Sequence, residues 1–163
     1  MHIAQLAPLT EAIPPKLYGG TERVVSWLTE ELIALGHEVT LYASGDSVTS
    51  ARLEAVWPRA LRLDGSVRDP HALHLLMLER VYQSATNFDF IHCHLDYYPF
   101  SLFSRQPTPF VTTCMADLTC RSTSQCLTNF RTYRWCQSQM RSAGRCRRRV
   151  GYAPCITAFP HSY

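Results

Sequence analysis

Lys16-Leu17-Tyr18-Gly19-Gly20-Thr21-Glu22-Arg23-Val24-Val25 is the stretch on which the reading of this chain turns. Upstream lies a short apolar run, His2-Ile3-Ala4-Gln5-Leu6-Ala7; downstream, a helical pattern runs as far as Gly36. Strand, glycine-containing loop and helix N-terminus, in that order, can make an anion site. Two glycines let backbone approach a ligand closely, and the free N–H groups of a first helical turn carry partial positive charge. As a bare motif, Gly-Gly before a helix is weak, and a plain tight turn at Gly19 and Gly20 is the competing reading. The flanking chain has to decide.

Outward from that loop the pattern is regular. From about Thr21 to Leu35, a helix would place Val24, Val25, Leu28, Leu32 and Leu35 on one face and Glu22, Arg23, Glu30 and Glu31 on the other, with Gly36 as its C-terminal stop. Before it, Ile13-Pro14-Pro15 requires a loop, because consecutive prolines cannot sit inside a helix or ladder. After it, Glu38–Ala43 reads as a second strand and Ser44-Gly45-Asp46-Ser47 as the following loop. Strand, helix and strand with short joints make a right-handed βαβ unit on a parallel sheet. Leu53–Val56 reads as a third strand, closed by a turn at Trp57-Pro58. Asp69-Pro70 caps a second helix that reaches about Ser84, with Leu73, Leu76, Met77, Arg80 and Val81 along its mostly apolar side. Phe88–His94 is a fourth strand, Tyr97–Phe103 a short aromatic helix or turn, and Phe110–Thr113 a fifth strand. The expected fold class is α/β: a Rossmann-like parallel sheet whose ligands collect beyond the carboxyl ends of its strands, followed by a largely irregular tail.

Bulk composition hides a break. The 163 residues suffice for one domain with a real core, and the net charge is only +3. Yet residues 1–113 carry eight Lys and Arg against twelve acids, whereas residues 114–163 carry eight Arg and one acid, Asp117. Cysteine divides in the same way: Cys93 stands alone in the first part, while Cys114, Cys120, Cys126, Cys136, Cys146 and Cys155 crowd the last fifty residues. These are two kinds of sequence. No apolar run reaches the roughly 18 residues of a membrane span. The N-terminus lacks a charged region followed by an apolar signal segment, so a cytoplasmic protein is expected.

At these residues the chain resembles a known family. His2–Ala7, Pro14–Val25, Leu35-Gly36-His37-Glu38-Val39-Thr40-Leu41, Ala43–Ser47 and Phe88–His94 are similar, in order, to the N-terminal domain of family-4 glycosyltransferases. The resemblance covers residues 1–113. It implies one half of a GT-B fold, two Rossmann-like domains facing a cleft, and sugar transfer (typically of a hexose) from a nucleotide diphosphate to a hydroxyl with retention. In that family the N-terminal domain mainly holds the acceptor, and its first glycine loop borders the donor diphosphate. By resemblance, Gly19, Gly20 and Thr21 form the diphosphate loop, and Lys16, Asp46, His94 and Asp96 are cleft candidates. Helix N-termini and basic side chains stabilise the leaving diphosphate, so the resemblance implies no metal and no cofactor beyond the nucleotide-sugar substrate. The expected domains are residues 1–113, the acceptor-side half, and residues 114–163, a Cys/Arg-rich tail. The second, donor-binding domain of the family is not found here, so this chain is expected to be inactive by itself.

The tail departs from the family at an identifiable place. The family continues its fifth strand as Val-Thr-Thr-Leu-His-Gly, with the histidine beside the transferred sugar; here Val111-Thr112-Thr113 is followed by Cys114-Met115-Ala116. The genetic code tests that departure. If each codon from 114 onward is read one base early, Cys114 permits leucine, Met115 permits histidine, and the Met115-Ala116 junction forces glycine. Trp135-Cys136 forces a valine, and Cys155–Pro160 permits VYHGLP. Third bases are free, so the forced positions carry the weight. The tail therefore reads as a product of a single-base frameshift near codon 114 and is expected to be largely unfolded, with little to bury.

The individual residues have competing readings. His92 and His94 lie on one strand face with Asp96 following, which suggests a metal, but Cys93 points the other way and no third ligand has motif spacing. The family reading puts His94 at the acceptor cleft and His92 packed under the sheet. Asp46 and Ser47 either line the cleft or stabilise a turn through Asp-to-backbone bonding. Lys16, the sole lysine, approaches a phosphate or is simply solvated. Tyr97, Tyr98 and Phe100 either stack on a sugar ring or belong to the core. In the tail, successive cysteine spacings of 6, 6, 10, 10 and 9 lack the close pairs of a zinc site. Its arginines would attract polyanions without sequence preference, so no specific nucleic-acid partner is expected. Without an export signal a disulfide framework is not expected either. The expected partners are a nucleotide-diphosphate sugar and a hydroxyl acceptor, with no membrane span and a peripheral membrane contact left open. Two other readings stay open: a stand-alone Rossmann-like binding or regulatory module with a basic tail, and a more distant GT-B relative. Proteolysis separates the first of these, since a fragment would lose its tail early while residues 1–113 resist.

Overall fold

The structure, a computed structural model, describes residues 1–115 and 155–156. Strands β1 (His2–Leu6), β2 (Glu38–Ser44), β3 (Arg52–Trp57), β4 (Phe90–Cys93) and β5 (Phe110–Thr113) form a parallel sheet, and β6 (Cys155–Ile156) adds two antiparallel residues on β5. The order is β3-β2-β1-β4-β5-β6. Helix α1 (Gly20–Ala34) links β1 to β2, α2 (Pro70–Gln83) leads to β4, and the short α3 (Phe100–Phe103) precedes β5. This is the expected Rossmann-like α/β class. The readings of the tail as unfolded, zinc-free and cysteine-unpaired fall almost wholly outside the described residues. Within them, Cys114 is buried in the core.

Strand alternation divides the core into two layers. On the α2 side Leu6, Met77, Leu78, Val81, Ile91, Phe100, Phe103 and Phe110 pack together. On the α1 side Ala7, Ile13, Val25, Leu41 and Ala43 form a smaller cluster. Helix α1 ends as its sequence implies: Gly36 has φ +83°, and the amides of Gly36 and His37 donate to the carbonyls of Ile33 and Leu32.

Val25, Met77 and Val81 are buried as expected, but each helix also buries residues not expected of it and exposes some that were. In α1 the buried residues are Glu22, Val25 and Thr29, while Val24 and Leu35 are exposed and Trp27 is 67% exposed. The return segment between β2 and β3 engages one residue of the expected polar face. The hydroxyl of Thr49 and the amide of Ser50 both donate to Glu30 Oε1, at 2.7 and 3.0 Å, which draws an expected solvent-facing glutamate against the fold. In α2 the buried residues are His74, Met77, Leu78 and Val81, whereas Leu76 and Arg80 face solvent. His74 is drawn inward because its ring is bonded at both nitrogens: Nδ1 donates to the Pro70 carbonyl at 2.7 Å, and Nε2 accepts from the Leu9 amide at 3.0 Å. Asp69 caps α2 as expected, accepting from the amides of His71 and Ala72.

Candidate functional site

Strand order reverses between β1 and β4, the neighbours from which the sheet runs out in opposite directions. In open α/β sheets the crevice beyond the carboxyl ends at such a point is where ligands bind. Five pieces of chain meet this edge: the loop of residues 7–19, the N-terminus of α1, the turn after β2, the segment after β4, and residues 114–115 after β5.

The loop is held in place rather than loose. Leu9, Ile13 and Pro15 are buried. The Ile13 amide donates to Ser47 Oγ at 2.9 Å, the Val48 amide donates to the Ile13 carbonyl at 2.7 Å, and His74 holds the Leu9 amide. The two glycines then have different work. A Cβ on Gly19 would lie 2.8 Å from Pro15 Cβ and 2.9 Å from Glu22 Oε2, so a side chain there has no room. A Cβ on Gly20 would meet nothing within 4 Å, and no side chain caps α1. Gly19 packs the loop against the helix, while Gly20 leaves the N-terminal turn open to approach. Lys16, Leu17 and Tyr18 form an exposed tip, to which Arg23 Nη2 donates through the Leu17 carbonyl at 3.4 Å.

Glu22 corrects the sequence reading. Expected on a polar face, it is only 6% exposed and folds back toward Gly19. Burial raises its pKa above the usual carboxylate value; a bond to its own amide opposes this, the Glu11 charge adds to it and Arg62 offsets it. Glu11, also buried, receives Arg62 Nε at 3.0 Å. This acidic and basic cluster beneath the loop was not visible in sequence, because Glu11 and Arg62 are fifty-one positions apart and no local pattern pairs them.

At the end of β4, His92 and His94 share the face opposite Ile91 and Cys93, their ring centroids 4.1 Å apart. His92 is part-buried, and its Nε2 bonds Thr113 Oγ1 at 2.9 Å. His94 is buried: its amide donates to the Leu6 carbonyl at 2.9 Å, and its Nε2 donates to Gln5 Oε1 at 3.0 Å. Both contacts cross the β1–β4 switch point. His94 Nδ1 and Gln5 Nε2 find no partner among the described residues. Burial pushes the pKa of His92 down to about 4. Burial, and then the neighbouring His92, hold His94 well below the usual histidine range. Two neutral imidazoles thus lie against each other, tilted by 30°, at the switch point. Gln5, which positions one of them, was passed over in sequence as a buried strand residue.

The two aspartates near this edge, Asp46 and Asp96, are both engaged. Asp46 Oδ1 accepts from the Ala60 amide at 2.9 Å, the turn-stabilising role that sequence had left open. Asp96 sits at φ +51°; its carbonyl accepts from Thr112 Oγ1 at 2.8 Å and its Oδ1 from the Met115 amide, tying the segment after β4 to the end of β5. The expected residues therefore share one edge but hang from separate networks: Lys16, Gly19, Gly20 and Thr21 on the loop and α1, His94 and Asp96 after β4, Asp46 after β2. Among the described residues no group of three or more His, Cys, Asp or Glu is placed to hold a metal ion, and no helix is long and apolar enough to cross a membrane. A cavity of about 290 Å³ lies at the other end of the sheet, between His2, Arg52, Arg80 and Asn87.

Comparison with known proteins adds the family. The glycosyltransferase family 4 model matches residues 18–150, from within the glycine loop to well past Thr113. No curated protein matches. Thirteen chains of solved structures do. One is the crystal structure of AviGT4, a glycosyltransferase involved in avilamycin A biosynthesis; it is 25% identical, with a TM-score of 0.45, and the match covers 69% of this chain and 31% of that one. The chain thus spans about a third of that protein's length. With a parallel α/β sheet, an open helix N-terminus behind a glycine loop and a family match over most of its length, this chain belongs to glycosyltransferase family 4.

Proposed function

We propose that residues 1–113 are the acceptor-side half of a retaining glycosyltransferase, which transfers a hexosyl unit from a nucleotide-diphosphate sugar to a hydroxyl. The observation that carries this reading is the open N-terminal turn of α1 at Gly20, uncapped by any side chain and set beside the sheet's switch point. In this reading the first-turn amides of Gly20 and Thr21 receive the diphosphate, with Lys16 supplying charge from the exposed tip. As the donor bond breaks, negative charge grows on the leaving diphosphate, and fixed N–H dipoles stabilise it without reorganising. His94, kept neutral by burial, exchanges hydrogen bonds with the acceptor hydroxyl, while Gln5 holds its ring. Asp96 acts through the chain it anchors and Asp46 through its turn. No metal or other cofactor is proposed.

By the resemblance, Cys114 and Met115 stand where the family carries leucine and histidine, and for want of that histidine we propose that the 163-residue chain binds a nucleotide sugar without transferring it. Calorimetry with a uridine-diphosphate hexose tests this. Binding that weakens in Lys16→Ala, with no free nucleotide diphosphate released, is expected. No binding, or turnover, overturns it. We further propose that the segment after Thr113 arises from a frameshift; resequencing the locus and translating the neighbouring frame decides, and an early stop codon there refutes it.

A further inference from the structure

We propose that Tyr97 and Tyr98, backed by His71 and His74, form an aromatic platform on which the acceptor, itself a pyranose sugar, stacks; this names the substrate class for the edge described above and rests on the glycosyltransferase reading of it. The rings are arranged as one slab. Tyr97 and Tyr98 have centroids 5.2 Å apart and planes 15° apart. Tyr98 in turn lies 6.0 Å from His71 at 29° and 6.1 Å from His74 at 20°. Three ring pairs, all made through Tyr98, thus join α2 to the segment after β4.

The slab is rigid at its inner end and open at its outer one. His74 is bonded at both ring nitrogens, and the Tyr98 hydroxyl is hydrogen-bonded to His71 Nδ1. Asp96, directly before the tyrosines, ties the segment to β5 through its carbonyl and its carboxylate. Phe100, three residues on from Tyr97, is wholly buried in the core, so the aromatic run divides: Phe100 fills the interior while Tyr97 stays 36% exposed. Core packing therefore accounts for Phe100 and leaves Tyr97 unexplained.

An exposed, pre-oriented aromatic face is what the C–H face of a pyranose packs against, at little cost in side-chain freedom because the rings are already ordered. Sugar hydroxyls pointing outward then need acceptors, and the carboxylates of Asp96 and Asp69 lie nearby: burial first, then Tyr97, and then these two charges raise the Tyr98 hydroxyl pKa. The platform is at the carboxyl edge of the sheet because Asp69 and His71 lead α2, and Tyr97 and Tyr98 follow β4.

Saturation-transfer NMR and calorimetry of the full chain with methyl α-D-glucopyranoside test this directly. Binding in about the millimolar range is expected, weakened about tenfold in Tyr97→Ala and about twofold or less in Tyr97→Phe, which keeps the ring. Tyr97 is exposed, and thermal melts of both variants report on their folding. No pyranoside binding by the folded parent chain, or equal binding by Tyr97→Ala, refutes the platform. Uridine is the second probe: if it displaces the pyranoside, the slab is a nucleobase site and the proposal fails. Binding of the uridine-diphosphate hexose, read through Lys16→Ala, is scored separately. Loss of that signal with pyranoside binding intact sinks the glycosyltransferase reading alone; the reverse sinks the platform alone.

Discussion

Acidification from about pH 7 to about pH 4.5 is expected to destabilise the fold through the paired histidines at the end of β4, and the effect can be worked out. His92 has an ordinary pKa of 6.5 in the unfolded chain, and burial pushes it down to about 4 in the fold. Below about pH 6.5 the unfolded chain therefore binds a proton that the folded one refuses, so stability is full above that value and falls as pH drops toward 4. Linkage puts the loss from His92 at about 2.5 kcal/mol by about pH 4.5. His94 and His74 are lowered chiefly by burial as well, and their losses have the same sign. Against a total stability of about 5–15 kcal/mol for a domain, this is a large fraction. Urea titrations followed by far-UV circular dichroism across this range measure it. The control is His92→Gln, which keeps a polar group near Thr113 but cannot titrate. It should lose about 2 kcal/mol less than the parent between the two ends of the range, and carboxylates cancel in that difference. Parallel pH profiles for the two proteins would show that His92 is not held neutral by burial, and the reasoning would fall.

The two glycines of the loop should respond in opposite ways. Gly19→Ala must move Pro15 or Glu22 and is expected to cost about 1–3 kcal/mol, whereas Gly20→Ala, in open space at the start of α1, should be neutral or stabilise by up to about 1 kcal/mol; thermal melts compare them. Asp96→Ala removes the acceptor for the Met115 amide and puts a less tolerant residue at φ +51°, with an expected cost of about 1–3 kcal/mol in urea titration. His74→Phe keeps the ring but leaves the buried Leu9 amide without an acceptor, and about 1–3 kcal/mol should be lost, together with faster proteolysis in the loop of residues 7–19.

The strands, the two long helices and the glycine loop were legible in the residues, because each is written in local terms: an apolar run between breakers, a cap such as Asp69-Pro70, a stop such as Gly36. The parallel α/β class followed from their alternation, and with it the edge at which sheets of this class bind ligands. Val25, Met77 and Val81 were legible as buried, but which polar residues of each helix would join them was not, since that depends on partners far along the chain. Thr49 and Ser50 capture Glu30, and Leu9 captures His74; no periodicity within α1 or α2 records either contact. Burial of Glu22, the contact of His92 with His94, the hold of Gln5 on His94 and the division of labour between Gly19 and Gly20 belong to the same class. Secondary structure is decided by neighbours within a turn or two, so sequence alone determined it here. Exposure, protonation and hydrogen-bond partnership are set by whatever the fold brings alongside, and only the tertiary structure decided those.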